Sequence, residues 1–207
     1  MYLGARYNNF GAKISPMTIA ASAEIDTMEK TLQQYQSVIN RCRSIFEKKM
    51  NDYGSSWRIL RTSSLTDQLF IKAQRIRSIE EKGTHLIDDG VVTEYESLVN
   101  YAIIALIQLE LKPAEEPHMA IDKALVLYNT YADNARDLMS KKNHDYGEAW
   151  RNMRVSSLTD LILSKIMRIK QIEDNDGQTL ISEGIDSNYY DILNYAVFAL
   201  IKMDEDE

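Results

Sequence analysis

The sequence predicts an all-α protein in which two tandem three-helix repeats pack as one pseudo-twofold helical bundle. Three observations carry that expectation. The 207 residues contain only eight glycines and three prolines, too few for the many turns a sheet protein needs. Apolar residues recur at helical spacing along most of the chain, and no run alternates as a strand would. A single block of sequence is also written twice.

The duplication is exact in register over a long stretch. Asp52-Tyr53-Gly54-x-x-Trp57-Arg58 returns 93 residues later as Asp145-Tyr146-Gly147-x-x-Trp150-Arg151. The match runs on through Ser63-Ser64-Leu65-Thr66-Asp67 against Ser156-Ser157-Leu158-Thr159-Asp160, and through Lys72/Lys165, Arg75/Arg168 and Glu80/Glu173. One extra residue enters near Asp176, after which Asn100-Tyr101-Ala102 pairs with Asn194-Tyr195-Ala196. Residues 1–25 read as a poorly patterned arm, 26–112 as the first repeat, 113–118 as a linker around Pro113 and Pro117, and 119–207 as the second repeat.

Each repeat reads as three helices. The first spans 27–50 and again 119–143, and stops at Asp-Tyr-Gly, where Gly54 and Gly147 suit a left-handed residue. The second opens at Ser64-Leu65-Thr66-Asp67 and at Ser157-Leu158-Thr159-Asp160, a pattern in which serine caps the helix and the acid reaches back. It ends before Gly83 in one copy and near Gly177 in the other. The third, 93–111 and 187–203, is apolar on most of its circumference and belongs inside a bundle. Three such helices make a thin core alone, so the copies are expected to pack on each other.

The formal charge of −7 works against a dedicated duplex-binding protein, although it leaves room for a local basic pocket. No apolar run reaches the roughly 18 residues of a membrane span. The arm lacks the apolar run of a secretory signal, and the lone Cys42 has no disulfide or metal partner, so the cytoplasm is the default location. His85, His118 and His144 show no ligand spacing. A homodimer is left open.

Several polar residues admit two readings. Tyr53, Trp57, Tyr146 and Trp150 suit stacking on a base, or anchoring a turn between helices. Lys72 with Arg75, and Lys165 with Arg168, lie three apart on one helix face and suit a phosphate chain, or a salt bridge to a neighbouring helix. Asp67 and Asp160 fit a metal or the helix cap. Glu80 and Glu173 fit a metal or a solvated helix end. Asn100 and Asn194 sit in apolar runs, where an amide must bond another helix, a loop carbonyl or a ligand.

Lys142-Asn143-His144-Asp145-Tyr146-Gly147, then Lys165-Ile166-Met167-Arg168-Ile169, then Asn194-Tyr195-Ala196, resemble the nucleotide-modification-associated domain family of phages and bacteria. Helical layout and spaced acids bring a fainter similarity to MazG-like all-α nucleoside triphosphate pyrophosphohydrolases. The resemblance implies a nucleotide or other phosphorylated small molecule as ligand. It also implies magnesium on facing helices, with water attacking a phosphate. Carried onto this chain, Asp145 and Asp160 would be catalytic. Asp160, Glu173, Glu183 and Asp191 would hold the metal, and Lys72, Arg75, Lys165 and Arg168 the phosphates. Tyr53, Trp57, Tyr146, Trp150, Asn100 and Asn194 would complete the binding surface. Ile71, Ser164 and Ser97 stand where the resemblance calls for acids, which leaves the second repeat better equipped than the first. A helical binding module without catalysis is the alternative.

Overall fold

The structure, a computed structural model, describes residues 16–83, 90–179 and 183–206, with side-chain surroundings from residue 27 onward. Six α-helices make up the described chain: α1 (Pro16–Tyr53), α2 (Thr62–Lys82), α3 (Val91–Leu111), α4 (Ile121–Tyr146), α5 (Val155–Asp174) and α6 (Ile185–Asp206). A one-turn 3-10 helix follows α1 at Ser56–Ile59 and follows α4 at Ala149–Asn152. No strand occurs among the described residues. None of the described helices is long and apolar enough to cross a membrane.

Every helix of the first repeat packs on its own counterpart in the second, α1 on α4, α2 on α5 and α3 on α6, which is the pseudo-twofold arrangement. The α3–α6 pair is the centre. Leu98, Ile103 and Ile107 on α3 and Ile192, Val197 and Leu200 on α6 are buried, each contributing roughly 1.5–3 kcal/mol by leaving water. One core runs through both repeats, so neither half has an interior of its own. Cys42 lies inside it as a free thiol, and burial pushes its pKa up to about 12.

Helix α1 begins at Pro16, so the later part of the expected arm is helical. Residues 1–15 and His85 lie outside the described residues. Gly54 (φ 70°) and Gly147 (φ 60°) are left-handed as expected, and their amides close α1 and α4 onto Met50 O and Asn143 O at 3.0 and 2.8 Å. Gly83 (φ 65°) ends α2 in the same way.

The expected serine caps do not form. Helices α2 and α5 start earlier, with Arg61 and Arg154 as extended N-caps and no side-chain cap bond. Ser64 and Ser157 therefore fall inside the first turn, and Asp67 and Asp160 fall too far along to reach back. Those aspartates instead cross between repeats, Asp67 to Lys170 at 2.5 Å and Asp160 to Arg77 at 3.7 Å.

Two polar relays cross the pseudo-twofold axis between α2 and α5. The hydroxyl of Thr66 donates to Glu173 at 2.9 Å and lies 2.7 Å from the Tyr189 phenol. Thr159 donates to Glu80 at 2.9 Å and lies 2.7 Å from the Tyr95 phenol. Two glutamates with candidate metal roles thus belong to this interface.

Candidate functional site: twin pockets that have diverged

The Asp-Tyr-Gly turn, the last turn of the helix before it and the third helix of the same repeat enclose a pocket in each half. The first-repeat pocket, about 400 Å³, is lined by Phe46, Lys49, Tyr53, Trp57, Ser97 and Tyr101, among others. The second, about 430 Å³, takes the same positions one repeat on: Met139, Lys142, Tyr146, Trp150, Asp191 and Tyr195, with Lys165 and Glu183 added. Repeat symmetry and helix geometry thus gather the retained aromatic residues, with Lys49 and Lys142, into equivalent places, whereas Lys72, Arg75 and Arg168 line neither pocket.

The turn that forms one wall is pinned from the third helix. Gln108 is fully buried and donates to the carbonyls of Arg58 and Leu60 at 2.7 Å each, while Arg58 donates back to its amide oxygen. In the second repeat Lys202 occupies the same place and donates to Arg151 O at 2.5 Å. Glu148 there adopts φ 54°, a conformation that costs a non-glycine residue energy. Bonds from Thr31 at 2.6 Å and Arg151 at 2.6 Å hold it.

The tryptophans are anchors. Trp150 has Phe198 stacked on it at 4.2 Å and the Arg151 guanidinium over its ring at 4.4 Å, so a base cannot stack on it. Trp57 is buried between Phe46 and Arg58. The indole N–H groups differ, however. That of Trp57 reaches Met50 Sδ at 3.4 Å, whereas that of Trp150 is buried and has no acceptor among the described residues. The exposed aromatic rings are the tyrosines, Tyr53 at 60% and Tyr146 at 74%.

Asn100 and Asn194 bond internally. Asn100 donates to Cys42 O at 3.1 Å and accepts from Tyr128 at 2.9 Å; Asn194 donates to Ala135 O at 3.3 Å and accepts from Tyr35 at 2.8 Å. Each amide reads a tyrosine of the other repeat, so the pair locks the two halves together.

The basic residues part company between repeats. Lys72 and Arg75 both pair with the buried Glu94, at 3.1 and 2.5 Å. The corresponding position in the second repeat is Asn188, and the second repeat's acid stands one helical turn further along, at Asp191, where the first repeat has Ser97. Asp191 takes Lys142 on one oxygen and Lys165 on the other, both at 2.6 Å. Burial pulls the Lys142 ammonium down, but the bonded Asp191 carboxylate more than offsets this and the net shift is upward. Arg168, without a Glu94 equivalent, is exposed and makes no ion pair among the described residues.

The implied magnesium set does not fit these positions. Glu183 and Asp191 share the second pocket, but both Asp191 oxygens are occupied by ammonium groups. Asp160 and Glu173 lie at the α2–α5 interface, and Asp145 is exposed beside His144. No group of three or more metal-ligating side chains converges among the described residues. Magnesium needs several oxygen ligands in octahedral geometry, which these scattered acids do not supply.

Lys142 is the residue that sequence reasoning passed over. It appears in the duplicated block, and its place four residues before Tyr146 puts both on one helix face, which was the available signal. The role of Asp191 as a double lysine clamp had no such signal, since it depends on how α4, α5 and α6 are rotated about their axes.

An all-α bundle of two like repeats, each with a pocket at an Asp-Tyr-Gly turn, defines the class of protein. The profile of nucleotide modification associated domain 1 matches residues 49–109 and again 142–203, more than half of the chain, and the protein belongs to that family. Neither a curated protein nor a solved structure matches it.

Proposed function

We propose that the second-repeat pocket binds a nucleotide, holding phosphate oxygens on Lys142 and Lys165 and the base against Tyr146 and Tyr195. The observation that supports this most is the pair of lysines from α4 and α5 held on one carboxylate inside an aromatic-rimmed pocket. Each ammonium has three donors and gives one to Asp191, so the rest stay available, already positioned, for phosphate oxygens. Arg168 lies one turn beyond Lys165 on the same face of α5 and would extend the cationic surface along a phosphate chain. The donor set supports binding rather than metal-dependent hydrolysis, and the family's description supports a nucleotide over other phosphorylated molecules.

Calorimetric titration with ribo- and deoxyribonucleoside mono-, di- and triphosphates, with and without magnesium, tests this. Dissociation constants in the micromolar to millimolar range are expected. The combined variant Lys142→Gln, Lys165→Gln, Asp191→Asn removes both cations and their acid together, so no buried charge is stranded. It should melt within a few degrees of the parent and bind about 10- to 100-fold more weakly, the loss of one or two charge-assisted contacts. Absence of heat across the whole panel, or affinity unchanged in the variant, would contradict the proposal.

A further inference from the structure

The first-repeat pocket has lost what makes the second one suited to phosphate, and has gained a different character. Its lysine of α2, Lys72, is drawn off to Glu94, outside the pocket. At the position of Asp191 it has Ser97, which leaves Lys49 exposed and without an ion pair among the described residues. Polar Asn143 and Asn152 of the second repeat are replaced by Met50 and Ile59. Ile59 lines the pocket and is 50% exposed, a large apolar side chain left in water, as is the still more exposed Tyr53 of the same pocket. No carboxylate lines this cavity among the described residues; Asp89, the sequence counterpart of Glu183, lies outside them. Among the described residues, the cavity combines one ammonium that makes no ion pair with predominantly apolar and aromatic walls, in a volume of about 400 Å³ that accommodates a compact organic molecule.

We propose that the first-repeat pocket is a second binding site of different specificity, taking a small organic monoanion with an apolar, ring-containing body, its acid group on Lys49 and its body against Trp57, Tyr53, Ile59 and Tyr101. The two repeats then serve as two unlike sites on one scaffold. A single cation matches a single negative charge, and apolar walls recover the free energy of removing a hydrocarbon body from water. A nucleotide polyphosphate fits poorly, since it would bring several charges to one ammonium.

The probe is 1-anilinonaphthalene-8-sulfonate, an aromatic-bodied monoanion whose emission rises in an apolar site, titrated onto the full folded chain. One site per chain is expected. Lys49→Gln, a change on an exposed side chain that leaves the fold alone, should weaken binding about fivefold. Ser97→Asp, which rebuilds the second repeat's acid beside Lys49, should weaken it about tenfold or more. The neutral analogue N-phenyl-1-naphthylamine should bind more weakly than the sulfonate. The Lys142→Gln, Lys165→Gln, Asp191→Asn variant should bind the probe unchanged, and ATP should not displace it, so this proposal and the nucleotide reading fail or succeed separately. No bound probe, equal binding of the neutral analogue, or indifference to both Lys49→Gln and Ser97→Asp would overturn it.

Discussion

Asn194 shows how a residue type can be legible while its role is not. An amide in an apolar stretch of α6 has to find partners, and the sequence alone does not say whether they are another helix, a loop carbonyl or a ligand. The partner is Tyr35, 159 positions away in the other repeat, with Ala135 O completing the pair. Nothing local in the chain announces that meeting; it follows from how α1 lies against α6. The same holds for Trp150, whose conserved place in both repeats fits a stacking platform until Phe198 and Arg151 are seen to cover its faces. Asn194→Leu should cost about 2–3 kcal/mol in urea unfolding, because the Tyr35 hydroxyl is left buried without a partner. Adding Tyr35→Phe should return a good part of that loss, since removing both polar groups is far less costly than removing one. If the double variant is as unstable as the sum of the singles, the hydrogen bond is not what holds these residues.

At the scale of helices, the existence and order of all six were readable from apolar spacing and from glycine at the helix ends. The starts of α2 and α5 were not. Ser-x-x-Asp matches a capping pattern, yet Arg61 and Arg154 sit at the boundary and shift the aspartates to outward positions where they pair across repeats. A capping motif fixes a helix start only when no longer-range contact chooses another, and here the α2–α5 crossing chooses. That crossing buries Thr66 and Thr159 and draws Glu173 and Glu80 toward the interface. Burial raises the pKa of both glutamates, partly opposed by the threonine hydroxyls. A carboxylate raised in the folded state binds its proton more tightly there than in the unfolded chain. Its contribution to stability is thus full below the unfolded pKa near 4.5 and falls away as pH rises through the folded value. Glu173→Gln keeps an acceptor for Thr66 and removes the charge. Its melting temperature should equal or exceed the parent's at pH 7, with a smaller drop between pH 4.5 and 7. A variant that is less stable at pH 7 with an unchanged pH slope would show that the carboxylate charge is not the cause.

The whole molecule is symmetric in backbone and asymmetric in charge. Duplication sets two equivalent pockets beside two equivalent Asp-Tyr-Gly turns, and the one-turn transposition of an acid, Glu94 in the first repeat and Asp191 in the second, separates their chemistry. The duplication and the residues retained in it were plain in the sequence. The convergence of Lys142, Lys165 and Asp191 was not, because three helices from different parts of the repeat must first take up their packing rotations. Each half supplies a wall to the other's core, which explains why the pockets keep their shape even where their linings differ. The second-repeat pocket is the proposed nucleotide site. Its most direct test uses the two indole N–H resonances of a uniformly ¹⁵N-labelled sample, assigned with Trp57→Phe. On titration with a nucleoside triphosphate, the Trp150 indole signal should move to saturation as the pocket that Trp150 lines fills, while that of Trp57, in the other pocket, stays in place. Movement of the Trp57 signal alone, or of neither, would contradict the account.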